Sequence, residues 1–168
     1  MKKFLFLGIA CLALLAACKK NDTPAPYDPY PQFVIDSTKI QAYLKANNIT
    51  NAKMDASGVF YQISNPGTGT DSLKWTSYPT VGYAGYLMNG TTLGTKFDSN
   101  DSTNFSFKAQ MRQLIPGWYY GLKYLRKGGQ ARLYIPSGWA YGPDGWNGVP
   151  GNAVLIFDVK LFDFTAGN

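Results

Sequence analysis

Few side chains in this sequence could carry out bond-making chemistry. It contains no histidine and only two cysteines, Cys11 and Cys18. The lack of histidine excludes a histidine-based catalytic triad and most zinc and iron sites, and the two cysteines cannot supply a thiolate cluster. We therefore expect neither a cofactor nor a metal site. Any activity must use ordinary groups, among which the aromatic side chains, 15% of the sequence, are prominent.

The candidate centre of such an activity is the stretch of residues 113–118. Pro116 suits the first position of a helix, where its missing N–H is not needed. Apolar residues then recur at the helical spacing and predict one buried face, made of Ile115, Trp118, Tyr119, Leu122 and Leu125. Gly128 and Gly129 predict the end of the helix. The pattern indicates a helix of roughly ten residues with Trp118 in its first turn.

Strands are predicted on both sides of this helix. Apolar residues alternate with a period of two at residues 59–63, 81–87, 105–107, 131–135 and 153–161. Asn65-Pro66-Gly67 and Asn89-Gly90 predict turns after the first two strands. One short helix inside a series of strands predicts an α+β domain, in which an antiparallel sheet folds over the helix.

The residue pattern alone does not decide whether several aromatic and acidic residues have a structural or a functional role. Tyr83, Phe105 and Phe157 each lie on the apolar face of a predicted strand, so each could be a core residue. Asp98 could cap a turn, and Tyr141 could be an ordinary loop aromatic. On its own, Trp118 is also expected to be a core side chain.

The first 18 residues have the pattern of an export signal. Lys2 and Lys3 precede an apolar run at residues 4–15 that is too short to cross a bilayer as a helix. Leu15-Ala16-Ala17-Cys18 resembles the lipobox of bacterial lipoproteins, which implies a signal peptide at residues 1–17 and a lipid on Cys18. We therefore expect a lipid-anchored protein of the cell envelope, in the outer membrane facing the periplasm or the surface. The alternative is a simple secretory signal.

The remaining chain divides into three predicted parts. Residues 18–33 are rich in proline and predict an extended tether. Residues 34–56 predict a helical extension, with Asp36 or Ser37 as its cap and Asn47-Asn48 at its end. Its apolar face contains Ile40, Tyr43 and Leu44. Residues 57–166 form the predicted main domain.

Charge and helix content restrict the partners. Removal of Lys2 and Lys3 with the signal lowers the formal charge from +6 to +4. Because this excess is dispersed, nucleic acid is not expected as a partner. The extension gives little basis for a dimerisation arm, so we expect a monomer.

Seven short pieces follow one another in a distinctive order. They are Val81-Gly82-Tyr83-Ala84-Gly85, Lys96-Phe97-Asp98-Ser99, Phe105-Ser106-Phe107, residues 113–118, Leu133-Tyr134-Ile135-Pro136, Ala140-Tyr141-Gly142, and Val149-Pro150-Gly151-Asn152-Ala153 with the strand after it. The succession resembles the FKBP-type peptidyl-prolyl cis-trans isomerases over residues 57–164. The resemblance implies a twisted antiparallel sheet, a half-barrel, wrapped around one short helix, with the N-terminal helix as an addition.

The resemblance also implies a pocket between sheet and helix. Trp118 would form its floor, Tyr141 would donate a hydrogen bond to a substrate carbonyl, and Asp98 would lie beneath its mouth. The implied catalytic residues are Tyr83, Phe97, Asp98, Trp118, Tyr141 and Phe157. The implied substrate-binding residues are Phe105, Gln113, Leu114, Ile115, Ala140 and Val149.

The implied activity is cis-trans isomerisation of proline-containing polypeptides, with macrolides as inhibitors. The barrier to rotation is about 18–20 kcal/mol because the amide loses its resonance, and no bond is made or broken. A twisted amide has less charge separation than a planar one, so a dry aromatic pocket favours it. The alternatives are a proline-segment binding module or chaperone with little turnover, and a structural lipoprotein that uses the fold only as a scaffold.

Three features depart from the family pattern. Residues 90–97 are longer than the usual turn, and residues 91–94 are predicted to form an extra loop. No arginine lies between Asp98 and Phe105 to pair with Asp98. Trp146 lies in the loop after Tyr141, where it could add a contact or narrow the pocket.

Overall fold

The computed structural model describes residues 28–100 and 107–167. The predicted signal, the lipidation site Cys18 and the predicted pocket residue Phe105 lie outside the described residues. The elements are α1 (Tyr30–Ala46), β1 (Lys53–Met54), β2 (Phe60–Asn65), β3 (Tyr78–Asn89), β4 (Thr92–Ser99), β5 (Phe107–Lys108), a 3-10 helix (Met111–Gln113), α2 (Pro116–Leu122), β6 (Gln130–Ile135), a second 3-10 helix (Ser137–Trp139) and β7 (Leu155–Thr165). Neither described helix has the length and apolar character needed to span a bilayer.

The described strands form one antiparallel sheet. Its order is β1-β2-β6-β7-β3-β4, and β5 pairs with β3. The C-terminal strand β7 therefore lies in the middle, between β6 and β3. The prediction of an α+β domain with an antiparallel sheet around one short helix is confirmed.

The two helices pack on opposite faces of the sheet. Leu133, Ile135 and Phe157 belong to the core that contains Trp118 of α2. Side chains one position away, including Tyr134 and Ile156, pack with α1 instead. Because both faces are covered here, these segments of β6 and β7 are unbroken apolar runs.

Helix α2 approaches β6 closely because its inner face carries glycine. A Cβ atom at Gly117 would collide with Ile135, and one at Gly121 would collide with Leu133. The helix ends at Leu122, so it is shorter than the roughly ten residues predicted. Leu125, predicted to be on its apolar face, is buried in the turn that follows.

Helix α1 begins earlier than predicted. It begins at Tyr30, and a proline in its first turn suits the helix because proline needs no N–H partner there. Residues 30–33, assigned to the tether from the sequence, are therefore helical. The prediction that Asp36 or Ser37 caps the helix is wrong, since both lie inside it. Its end before Asn47 and its apolar face, with Ile40 buried, agree with the prediction.

The predicted loop at residues 91–94 is also wrong. Asn89 pairs with Thr92 across a tight turn that contains Gly90, whose φ is +58°. The extra residues lengthen the β3–β4 hairpin, because Gly90 suits the first position of a two-residue turn, Gly90-Thr91, where φ is positive.

Candidate active site

A cavity of about 410 Å³ opens beside the N-terminal end of α2. It is lined by Tyr83, Asp98, Gln113, Leu114, Ile115, Trp118, Tyr141, Trp146 and Phe157. Eight of these nine are predicted site residues, and the ninth, Trp146, is the loop aromatic noted above. The cavity unites groups from β3, β4, α2, β7 and the loop after β6.

Aromatic rings form the floor of the cavity. Trp118 is 4% exposed, and its ring meets the rings of Tyr83 and Phe157 edge to face, at centroid distances of 5.0 and 5.3 Å. Phe97 contacts Phe157 edge to face at 5.6 Å from behind the lining. Edge-to-face pairs are favourable because the positive edge of one ring meets the negative face of another.

The indole N–H of Trp118 is buried at the cavity floor. It has no hydrogen-bond acceptor within the described part of the chain. A buried donor without an acceptor retains its desolvation penalty. The floor of the cavity therefore carries one uncompensated polar group.

Tyr83 connects the floor to the acid at the mouth. Its hydroxyl donates to Asp98 Oδ2 at 2.8 Å. Burial, followed by the interaction with Asp98, raises the pKa of Tyr83 above its ordinary value. The phenol thus stays protonated and supplies a partner for Asp98, which the sequence left without a nearby arginine.

Tyr141 offers a hydrogen-bond donor at the cavity. The residue is half-buried, and its hydroxyl has no hydrogen-bond partner among residues 28–100 and 107–167. Burial, with a smaller contribution from the charge of Asp98, raises the pKa of Tyr141. It therefore remains a donor at neutral pH.

A second donor comes from the main chain at Ile115. Leu114 and Ile115 are extended just before α2, and both line the cavity. The N–H of Ile115 donates to no acceptor within the described ranges. N–H groups at the start of a helix lack intrahelical partners, so this donor is available to a ligand.

Trp146 stacks on Tyr141 from the solvent side. The ring centroids are 5.4 Å apart with an interplanar angle of 23°, and Trp146 is 61% exposed. Reciprocal backbone hydrogen bonds of 3.0 and 2.9 Å join Trp146 to Val149. Asn147 and Gly148 between them have φ of +44° and +85°, as a type I′ turn requires. A tight turn therefore holds an exposed tryptophan beside the cavity.

Of three further predicted substrate-binding residues, one lines the cavity and two do not. Gln113 lines the cavity, and its side chain accepts a hydrogen bond from the N–H of Gln110 at 3.1 Å. Ala140 packs against the core, and Val149 is buried at the end of the turn that begins at Trp146; neither is part of the lining.

Other regions are poorer candidates. A larger, open groove of about 610 Å³ lies on the outer face of the sheet, where Arg132 and Asp158 form a bidentate ion pair at 2.6 and 2.7 Å. Gln62 and Ser64 in this groove also have partners, since Gln62 donates to the Asn51 side chain and Ser64 donates to the carbonyl oxygen of Gln130. No group of three potential metal ligands occurs in the described residues.

The fold and the aromatic cavity match a known class of protein. Residues 72–162 match the family described as FKBP-type peptidyl-prolyl cis-trans isomerase. The chain belongs to the FKBP-type peptidyl-prolyl cis-trans isomerase family. The match includes the cavity residues from Tyr83 to Phe157 and leaves α1 outside.

Individual relatives support the same assignment. The chain is 36% identical over 128 residues to FkpA of Buchnera aphidicola subsp. Acyrthosiphon pisum, which covers 76% of this chain and 51% of the relative. It is 35% identical over 111 residues to FkpA of Escherichia coli K12, covering 66% and 39%. The chain thus spans about half the length, or less, of these curated relatives.

Solved structures share the fold. The crystal structure of FkpA from Escherichia coli matches with a TM-score of 0.68 and 29% identity, over 83% of this chain and 65% of that one. A peptidyl-prolyl cis-trans isomerase from Pseudomonas syringae pv. tomato matches with a TM-score of 0.64 over 84% and 99%. At 22% identity, the second likeness supports the fold alone.

Proposed function

We propose that the protein catalyses cis-trans isomerisation of X-Pro bonds in polypeptides and thereby assists the folding of exported proteins. One observation carries the proposal. Two residues of the cavity lining, Tyr141 and Ile115, carry hydrogen-bond donors without a partner in the described part of the chain, and the cavity floor is aromatic. This is the arrangement needed to hold an apolar ring and its neighbouring carbonyl groups.

The reaction requires differential binding rather than covalent chemistry. Rotation about an X-Pro bond must cross a barrier of about 18–20 kcal/mol as the amide loses resonance. The proline ring rests on Trp118, where contact with aromatic faces replaces water. The twisted amide has less charge separation than the planar amide, so its transfer into this apolar cavity costs less.

The polar groups hold the polypeptide next to the rotating bond. The Tyr141 hydroxyl and the Ile115 N–H donate to substrate carbonyls, which fixes one side while the other turns. Tyr83 engages Asp98, which keeps that carboxylate at the mouth and away from the aromatic floor. Phe157 and Phe97 support the wall, while Leu114 and Gln113 border the substrate backbone.

We further propose a lipid-anchored location in the cell envelope. The lipobox-like sequence ending at Cys18 supports a lipid there and an outer-membrane position facing the periplasm or the surface. The proline-rich residues after Cys18 would then act as a tether up to the start of α1. The domain of residues 57–166 acts as a monomer on polypeptides, not on nucleic acid, and macrolides that fill the cavity inhibit it.

The activity is testable with a proline-containing peptide. Uncatalysed isomerisation takes tens to hundreds of seconds at 25 °C, so acceleration by micromolar protein is readily followed by NMR exchange or a protease-coupled assay. Tyr141→Phe should lower kcat/KM, whereas Tyr78→Phe, the same change at an exposed strand position, should not. Peptide binding without acceleration would refute isomerase activity and favour a holding module.

A further inference from the structure

Asp36 is a fully buried carboxylate in a helix outside the matched family region. Its side chain is 0% exposed, although α1 lies on the surface of the sheet. Oδ2 accepts two hydrogen bonds from Ser137, one from the backbone N–H at 2.8 Å and one from the hydroxyl at 2.6 Å. Buried carboxylates are costly unless they are satisfied in this way.

The other oxygen of Asp36 is held by its own helix. Oδ1 accepts a hydrogen bond from Gln32 Nε2 at 2.8 Å and lies 3.7 Å from Lys39 Nζ. The carboxylate therefore joins α1 to a residue 101 positions away along the chain. Such a bridge fixes Ser137 relative to a rigid element.

Ser137 in turn fixes the backbone around Tyr141. The carbonyl oxygen of Ser137 accepts hydrogen bonds from the N–H groups of Ala140 and Gly142, both at 2.9 Å. These two residues flank Tyr141 directly. Ser137 thus donates two hydrogen bonds to Asp36 and accepts one from each neighbour of Tyr141, the proposed donor to substrate.

We propose that Asp36 is a positioning residue for catalysis, which acts through Ser137 to align the Tyr141 hydroxyl. This inference rests on the proposed isomerase function. Alignment matters most for the twisted amide, because a hydrogen bond formed only in that geometry raises kcat rather than lowering KM. Helix α1 would thus be part of the catalytic apparatus, although it does not line the cavity.

Substitutions at Asp36 separate its hydrogen bonds from its charge. Asp36→Ala removes the oxygen that accepts both Ser137 hydrogen bonds and should lower kcat/KM about tenfold, mainly through kcat. Asp36→Asn retains a carbonyl oxygen for Ser137, and its NH₂ can face the rotated amide of Gln32, so kcat/KM should stay within about twofold. Should Asp36→Ala fail to fold, Ser137→Ala, which loses only the hydroxyl bond, should show a loss of about threefold.

A matched control tests general destabilisation of α1. Leu44 packs the same helix on the sheet but makes no bond to the Ser137 segment. Leu44→Ala should destabilise the protein and leave kcat/KM within about twofold at temperatures where it is folded. An equal loss of kcat/KM in Leu44→Ala and Asp36→Ala would overturn the proposal.

A double-mutant cycle tests the route through Tyr141. If Asp36 acts by aligning the hydroxyl, Asp36→Ala should cause less than about a twofold further loss in the Tyr141→Phe background. Full additivity of the two losses would overturn the proposal.

Amide hydrogen exchange tests the positioning role of Asp36 without a measurement of enzyme activity. The exchange rate of the Gly142 N–H should increase about tenfold in Asp36→Ala and stay unchanged in Leu44→Ala. An inactive wild-type protein would refute the isomerase function alone, whereas unchanged Gly142 exchange in Asp36→Ala would refute the positioning role.

Discussion

Replacing Trp118 with phenylalanine should leave the free energy of unfolding almost unchanged, although Trp118 is a core residue. The part of the indole that phenylalanine lacks corresponds to roughly two methylene groups, and its burial contributes about 1.6 kcal/mol to stability. The substitution also removes the buried, unpartnered indole N–H, whose desolvation costs about 1–3 kcal/mol in the folded state. Because Trp118 borders an open cavity, no sealed void forms. The two effects cancel to within about 1 kcal/mol.

Trp139 supplies the matched control. Its indole N–H donates to the carbonyl oxygen of Ser57 at 2.8 Å, so Trp139→Phe removes the same ring and breaks a hydrogen bond. The expected loss is roughly 2–3 kcal/mol, from burial plus about 1 kcal/mol for the bond. Urea denaturation of both variants measures the difference, when the same dependence of the free energy of unfolding on urea concentration is used for both.

Two results would refute this reasoning. Equal losses in Trp118→Phe and Trp139→Phe would mean that the Trp118 N–H is not an uncompensated group. A loss above about 2 kcal/mol in Trp118→Phe alone would mean that ring packing dominates the floor. Whatever the change in stability, Trp118→Phe should reduce kcat/KM, because the proposed mechanism places the proline ring on Trp118.

Three other positions give distinct expectations. Gly121→Ala should destabilise the domain by about 1–3 kcal/mol in equilibrium unfolding, because its Cβ collides with Leu133, and this outweighs the better helix propensity of alanine. Burial would raise the pKa of Asp55, but hydrogen bonds led by that from Lys123 hold the pKa far below its ordinary value. The lowered pKa of Asp55 stabilises the folded protein above about pH 4, and this stabilisation is lost as the pH falls towards the folded-state pKa. Asp55→Asn should therefore cost about 3 kcal/mol at pH 7, and its difference from wild type should narrow in unfolding measured below about pH 4. Trp146→Ala should change stability by less than about 0.5 kcal/mol but raise KM for proline peptides about three- to tenfold in steady-state kinetics.

The central strands were predictable because their burial follows the pleat. Residues 131–135 and 153–161 alternate between two covered faces, and Asn89-Gly90 marks a turn by its own chemistry. Strand β4 was not predictable in this way. It lies at the sheet edge and is largely exposed, so no alternation of apolar residues marks it.

Two predictions about α1, its cap and its first residue, were wrong for different reasons. Asp36 has the residue type of a helix cap, but its partner Ser137 lies far along the chain, and tertiary contact decides its role. Prolines near Tyr30 favour a tether by composition, whereas one of them fits the first turn of the helix.

Most residues of the cavity lining could be predicted from the seven ordered pieces that resemble the family. The contacts between these residues could not. The bond between Tyr83 and Asp98 depends on the register of β3 and β4, which shifts next to Gly85. The stacking of Trp146 on Tyr141 depends on a turn whose shape requires Asn147 and Gly148 together.

The central position of β7 determines when this domain can form during synthesis. Among the described strands, only β7 links β2 and β6 to β3, and it comes last in chain order. During synthesis, β2 and β6 therefore have no link to β3 until β7 is made. Until then, β3 and β6 each present an open edge that could pair with another chain. The sheet is completed only when the last residues of β7 are available, so its folding follows translation of nearly the entire domain. A nascent chain arrested before Leu155 would contain α2 and its tryptophan but lack the strand that supplies Phe157 to the cavity wall.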